Sequence, residues 1–305
     1  MNVAPIVLFA FNRPECLART VASLQRNTLA AQSGLFVFVD GPRNSEEARK
    51  VCQVQELVAG ITGFASLQYE FQKVNRGLAK SVISGISRII DEYGRVIVVE
   101  DDLILSTNFL DYMNQSLSLY EKIPEIFSVS GFGPAIRRPP ENENCNYFFP
   151  RAHSWGWGSW RDRWTQVDWQ LKDASSFLAR SNNRRRFNHL GSDMSGMLRN
   201  CLEGKINSWY IRFAFSQFLA DGLTAYPYES KVINAGFMPG ATHCNCYNRY
   251  HVNFDSSGQK EMNLCYDLQI LPGNAAQFRS YYSLSARAAG KCWDFLLRYR
   301  LIKQY

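Results

Sequence analysis

The chain has 305 residues, 46% hydrophobic and 20% charged, enough to bury a large core, and shows no internal repeat or low-complexity block. It contains no apolar run of about 18 residues, so the sequence predicts no membrane-spanning helix. The formal net charge is +7, and the basic excess gathers near the end of the chain, which points to an anionic surface and not to a nucleic-acid partner.

Ala4 to Phe11 is an apolar run that reads as a first strand. Asn12-Arg13-Pro14-Glu15 then breaks it and opens a helix, with Pro14 suited to the first turn and Leu17, Val21 and Leu24 at helical spacing. A second strand, Leu35 to Val39, runs into Asp40-Gly41-Pro42 and a helix predicted from Ser45 to about Ala59. A third strand over Gln68 to Phe71 leads through Asn75-Arg76-Gly77 to a helix ending near Ile90. Arg95-Val96-Ile97-Val98-Val99 is a fourth strand, β-branched and bounded by Gly94, of the kind buried on both faces of a parallel sheet. Such alternation predicts an α/β fold with a right-handed, mostly parallel wound sheet and helices on both faces.

The fourth strand ends in Glu100-Asp101-Asp102, three carboxylates where ligand sites of open α/β sheets lie. If strand geometry continues through the triplet, Glu100 and Asp102 point one way and Asp101 the other. Hard divalent ions, Mn²⁺ or Mg²⁺, prefer these oxygen donors and commonly bridge to phosphate. The competing reading is that the acids cap the next helix, starting at Asp102 or Ser106. Neither a dinucleotide-type nor a Walker-type glycine loop follows the first strand, so phosphates must be held by metal and side chains. Asp40 ends the second strand, where it can accept hydrogen bonds from a base or ribose; as part of Asp-Gly-Pro it also suits a turn.

Phe9 to Pro14, Asp40-Gly41, Asn75-Arg76-Gly77 and Val98 to Leu103 followed by Phe109 resemble the nucleotide-sugar half of GT-A fold glycosyltransferases. The acidic segment is similar to the Glu-Asp-Asp motif of the N-acetylglucosaminyltransferase I family, and the resemblance runs in order over about residues 4 to 243. It implies that Asp102 contacts the metal, and that Glu100 and Asp101 contact ribose, donor sugar or metal-bound water. Asp40 would hold the base, Arg13 would sit near the nucleotide, and Asn75 and Arg76 would belong to the same site. His243 resembles a late histidine that returns to metal and diphosphate. The family's catalytic Asp follows a Trp, but Ser208-Trp209-Tyr210 has Tyr at that place. Asp168, Trp209 and Tyr210 are therefore the catalytic candidates, with Asp162, Asp173 and Asp193 as further acids, and the stereochemistry is open.

Five of the seven Trp residues lie between Trp155 and Trp169. Gly156 and Gly158 alternate with Trp155 and Trp157, which suits backbone approach to a ligand and stacking on sugar rings; an aromatic core layer is the alternative. Arg161 and Arg163 could pair with phosphate or carboxylate, whereas Trp160 and Trp164, four apart, suit helix packing. The segment from Gly133 to Asn146 is expected to loop over the site. The domain reading is a nucleotide-sugar half over 1–130, an acceptor half over 131–274 and a basic amphipathic tail over 275–305.

The eight cysteines show no zinc spacing, and with no signal peptide read they are expected to be reduced, in a cytoplasmic chain. From Ala275 onward six basic residues stand against Asp294 alone, and Trp293, Leu296, Leu297 and Leu301 recur at helical spacing. That pattern suggests an interfacial helix on anionic lipid at the inner face of the membrane, or a packed basic helix. The expected function is metal-dependent transfer of a sugar, from a UDP-sugar, to a hydroxyl of a glycan or lipid-linked glycan in bacterial surface polysaccharide synthesis. A non-catalytic carbohydrate-binding protein and a sugar nucleotidyltransferase are the alternatives.

Overall fold

A computed structural model describes residues 3–237, 248–250 and 252–298. The first part of the chain runs β1 (Ile6–Ala10), α1 (Pro14–Gln25), β2 (Gly34–Val39), α2 (Ser45–Ala59), β3 (Ser66–Phe71), α3 (Leu78–Tyr93) and β4 (Arg95–Glu100). Its elements start where the sequence changes chemistry. Pro14 opens α1, the Asn44 side chain accepts from the Glu47 amide to cap α2, and Gly94 in the left-handed region ends α3. β3, β2, β1 and β4 pair in parallel, in that order, as the alternation predicts.

Beyond β4 the order is β5 (Leu103–Leu105), α4 (Phe109–Leu119), β6 (Ile126–Ser130), β7 (Asn146–Phe149), β8 (Trp157–Trp160), α5 (Arg161–Trp164), α6 (Ala174–Ala179), α7 (Ser181–Asn188), α8 (Met194–Leu202), α9 (Trp209–Leu219), β9 (Leu223–Pro227), β10 (Val232–Asn234), α10 (Pro272–Tyr281) and α11 (Leu284–Arg298). The sheet continues as β4-β8-β6-β9-β7, so strands from either side of residue 130 share one eight-stranded sheet. β8 enters antiparallel between β4 and β6, and β7 pairs antiparallel with β9, which makes the sheet mixed. A small antiparallel pair, β5 with β10, stands beside it.

The alternation along the strands builds two cores. Val7 and Phe9 of β1 face α3 and, farther along, α9, whereas Ile6 and Leu8 face α1, α2 and α4. Trp157 and Trp160 lie in β8, on opposite faces and each 1% exposed. Trp157 stacks on Trp209 of α9 at 5.1 Å, and Trp160 donates its Nε1–H to Leu117 O of α4 at 3.0 Å. Trp157 and Gly158 of the Gly-Trp alternation thus lie in a central strand, while Trp155 and Gly156, the latter at φ 57°, form the bend before it; Trp157, expected to touch a sugar, is instead part of the core. Phe278 of α10 stacks on Phe149 at 3.9 Å, so the first helix of the tail is packed on the domain. Among the described residues no helix is long and apolar enough to cross a membrane.

Candidate nucleotide and metal site

β1, β2 and β4 end at one edge of the sheet, and a cavity of about 290 Å³ opens there. Its apolar wall includes Phe9 and Phe38, stacked at 5.4 Å; its polar wall includes Arg13, Asp40, Asn75, Glu100 and Asp101. An apolar recess with a few convergent polar groups is the usual form of a small-molecule site. A second recess of about 180 Å³ adjoins it, sharing Phe38, Asp40 and Ser81.

The chain turns at Asp101 and Asp102, so strand geometry stops at Glu100. Instead of pointing apart, the two Asp side chains meet one guanidinium: Arg13 bonds Asp101 Oδ1 and donates to Asp102 Oδ2 at 3.0 Å. The Phe11 amide donates to Asp101 Oδ2 at 3.1 Å, so each oxygen of that carboxylate has a partner. The acids do not cap a helix either, because β5 intervenes and α4 begins only at Phe109. Burial, then Asp102 and Asp101, pushes the Glu100 carboxyl up to about 8; burial also raises Asp101 to about 6, against the pull of Arg13. Burial and mutual repulsion thus disfavour charge on Glu100 and Asp101, even with Arg13 in place.

Asp102 supplies an oxygen donor suited to a cation. It is 8% exposed, and its Oδ1 is buried without a hydrogen-bond partner. The turn after β10 closes over it: the Ala235 amide donates to Asp102 O at 2.7 Å, and a Cβ on Gly236 would lie 3.0 Å from Asp102 Oδ2. A free carboxylate oxygen beside a buried acid cluster fits a divalent ion held by one or two carboxylates and by phosphates of its ligand. Among the described residues no three His, Cys, Asp or Glu side chains form a metal cage, so phosphate oxygens would have to complete the shell. His243, expected at the metal, lies outside the described residues.

Asp40 works through the backbone. Its Oδ1 accepts from the Arg76 amide at 2.8 Å and the Gly41 amide at 2.9 Å, while Oδ2 accepts from the Gly77 amide at 2.9 Å. Asn75 Nδ2 donates to Gly41 O at 2.9 Å, so Asp40 and Asn75 lock the 75–77 loop against the end of β2. A Cβ on Gly41 would meet the Val74 backbone at 2.4 Å, which explains the Asp-Gly pair. The Arg76 side chain is exposed and lines the adjoining recess. Sequence reasoning missed Ser81. Its hydroxyl is buried without a partner between the two recesses, on a helix position that carries no signal in the sequence.

The second half distributes its candidates unevenly. Trp155 is half-buried at the acid-bearing edge, set edge-on to Phe132 and to Tyr250 at 5.0 Å each. Arg161 is at the other edge, where its amide donates to Gly94 O just before β4 begins. Asp168 is there too: its amide donates to Ser216 Oγ, at the end of α9 that feeds the start of β9, and its carboxylate accepts from the Gln170 and Lys172 amides. Neither side chain can share a reaction centre with Asp102. Trp209 lies in the core, 3% exposed. Tyr210 donates its hydroxyl to Ala152 O at 2.9 Å, and burial pushes its pKa up to about 12, so it is no base near neutrality. Asp193 is held by Arg151 through 2.8 and 2.9 Å bonds. The 133–146 segment, expected over the site, packs against Tyr228 and the 263–271 segment at the far sheet edge.

No protein-family model matches the chain. It is similar, at 25% identity over 183 residues, to an alpha-1,3-mannosyl-glycoprotein 2-beta-N-acetylglucosaminyltransferase of Arabidopsis thaliana. That match covers 55% of this chain and 39% of the relative, so the chain spans about two-fifths of the length of the curated relative. Similar solved structures include TarS of S. aureus, at TM-score 0.36 and 12% identity over 56% of this chain and 29% of that one. A mannosyltransferase from Pyrobaculum calidifontis, solved with GDP-Man and Mn²⁺, matches at TM-score 0.39 and 12% identity, over 72% of this chain and 77% of its own.

Proposed function

We propose that the chain is a metal-dependent glycosyltransferase of GT-A type that moves a sugar from a nucleotide donor to a hydroxyl of a glycan. The observation that carries this is the unpartnered Asp102 oxygen beside a nucleotide-sized cavity at the carboxyl ends of β1, β2 and β4. Phe9 and Phe38 offer the apolar wall for a base, and the Asp40-locked loop presents its backbone beside them. Arg13 holds Asp101 and Asp102 on one side, with Asp102 Oδ1 free to take Mn²⁺ or Mg²⁺. When bound, the ion would neutralise the departing diphosphate. An N-acetylhexosamine as the sugar transferred is supported by the activity in the relative's name, and a UDP-sugar is the donor proposed to carry it. Work on a lipid-linked acceptor at a membrane surface is supported by α11, where Leu284 and Phe295, eleven residues apart and so on one helix face, are 70% and 57% exposed.

The reading predicts that UDP or GDP binds with Mn²⁺ and at least tenfold more weakly without it. Calorimetry on both nucleotides, followed by a screen of donors for metal-dependent sugar release, tests this; no nucleotide binding with the metal present would end the reading. A second reading, a carbohydrate-binding protein without turnover, is favoured by one observation. Asp168, Tyr210 and Asp193 are each placed or bonded so as to be unavailable as a base. It predicts nucleotide or sugar binding with no transfer and no donor hydrolysis.

A further inference from the structure

A separate groove lies at the outer edge of the sheet, where β7 is the last strand. It has a volume of about 250 Å³ and is formed by β7, the 139–144 loop and the 265–271 segment. An edge strand leaves backbone groups in need of cover, and the second segment supplies it at one point. The Cys145 amide donates to Asn263 O at 2.8 Å, and Asn146 Oδ1 accepts from the Cys265 amide at 2.8 Å. Farther along, the segment leaves β7 and the groove opens between them.

Amides and carboxylates dominate the polar lining of this groove, with Asn142, Asn144, Asp267 and Gln269 among them. No lysine or arginine is among the described lining residues, in a chain of net charge +7, so the groove is a poor host for phosphate or carboxylate. Amides and carboxylates together offer donors and acceptors that match adjacent hydroxyl pairs. Tyr266, next in sequence to two lining residues, is 72% exposed and offers a flat face. Asn142 is already spent on Tyr228 and on the Asn144 amide, so Asn144, Asp267 and Gln269 are the lining side chains that a ligand can reach.

Asn146, in the wall of the groove, pairs with Pro227 at the carboxyl end of β9, the edge that also carries the acids. From β4 to β7 the order is β4-β8-β6-β9-β7, four strand spacings, or roughly 19 Å. We propose that this groove binds a neutral saccharide and holds the part of the acceptor glycan remote from the reacting hydroxyl. The second clause rests on the transferase reading; saccharide binding does not.

Saturation-transfer NMR on the full chain without nucleotide, using chitotetraose and mannotetraose as probes, tests the groove. At least one probe should bind, and Asn144→Ala, Asp267→Ala and Gln269→Ala should each weaken it about fivefold to tenfold. All three side chains are at least partly exposed, so the variants should melt close to the parent temperature, which separates lost binding from lost folding. Asp102→Asn should bind the probe as the parent does. Binding of neither probe, binding untouched by all three variants, or binding lost in Asp102→Asn would each overturn the groove. Saccharide binding that behaves as stated, in a chain that turns over no donor, would uphold the groove and sink the transferase reading.

Discussion

Asp255 and Asp102 are similarly hidden, at 4% and 8% exposure, yet their carboxylates are in opposite states. Asp255 bonds Lys231 Nζ, accepts from Asn108 Nδ2 at 2.9 Å, and takes the Ser257 amide and hydroxyl at 2.7 and 2.6 Å. Burial alone would raise its pKa, but these donors, Lys231 foremost, bring it down to about 2. At Asp102 one oxygen is left over, and the neighbouring Glu100 and Asp101 are pushed up. A closed cluster of charge fixes structure, here tying the end of β5 and the start of β10 to residues 255–257. An open one stores an unmet demand for positive charge, and that is what a binding site requires.

The largest test of this contrast is to break the closed cluster. Lys231→Met leaves Asp255 buried without its cation and should cost about 3–5 kcal/mol in urea unfolding. Nucleotide affinity of the molecules that remain folded should be unchanged. Asp102→Asn should do the reverse. It should weaken Mn²⁺-dependent nucleotide binding by at least tenfold while stability stays within about 0.5 kcal/mol or rises, since a crowded charge has been removed. Equal destabilisation by the two variants would show that the clusters do not differ in kind.

The closed and open clusters also differ in how far the sequence reveals them. The strands β1, β2 and β4 are legible because strands buried on both faces read as apolar runs, β3 is the exposed edge strand between two readable helices, and Pro14, Asn44 and Gly94 mark helix ends locally. Glu100-Asp101-Asp102 is legible as a cluster for the same reason: its members are adjacent. What joins it to the rest is not. Arg13 meets Asp101 and Asp102 across separations of 88 and 89 residues, and the Asp40 carboxylate is spent on amides of Arg76 and Gly77. The Lys231–Asp255–Asn108 cluster involves three residues with no motif among them. Trp157 misleads because Gly-Trp alternation fits both a ligand loop and a strand, and only the insertion of β8 between β4 and β6 decides for the strand.

Acidity sharpens the comparison with a smaller effect. The folded pKa of Asp255 lies below its unfolded value, so its contribution to stability is present above about pH 4 and is lost as pH falls toward 2. Glu100 and Asp101 run the other way. Folding raises their pKa values, so stability falls from about pH 4, where the unfolded carboxyls ionise, until about 6 for Asp101 and about 8 for Glu100, and is level above that. Urea midpoints followed across pH should therefore fall on either side of about pH 4, and Asp255→Asn should flatten the acid limb while leaving the upper one. An upper limb that survives Glu100→Gln unchanged would remove the open cluster as its source.

Ser81 gives the smallest and most selective test, because its hydroxyl repeats in neutral form what Asp102 Oδ1 shows in charged form. It is a buried oxygen with no partner, on α3, at the junction of the two recesses. Ser81→Ala removes that unsatisfied group and improves local helix propensity, so the unliganded protein should gain about 0.5 kcal/mol. If the hydroxyl meets the nucleoside, the same change removes one neutral hydrogen bond and should weaken nucleotide binding about fivefold. The loss should be the same with and without Mn²⁺, because Ser81 lies away from the ion's carboxylate, whereas Asp102→Asn acts only on the metal-dependent part. Calorimetry on UDP and GDP, each with metal and with chelator, separates the two. A Ser81→Ala protein that gains stability and binds both nucleotides as the parent does would place the nucleoside elsewhere in the cavity.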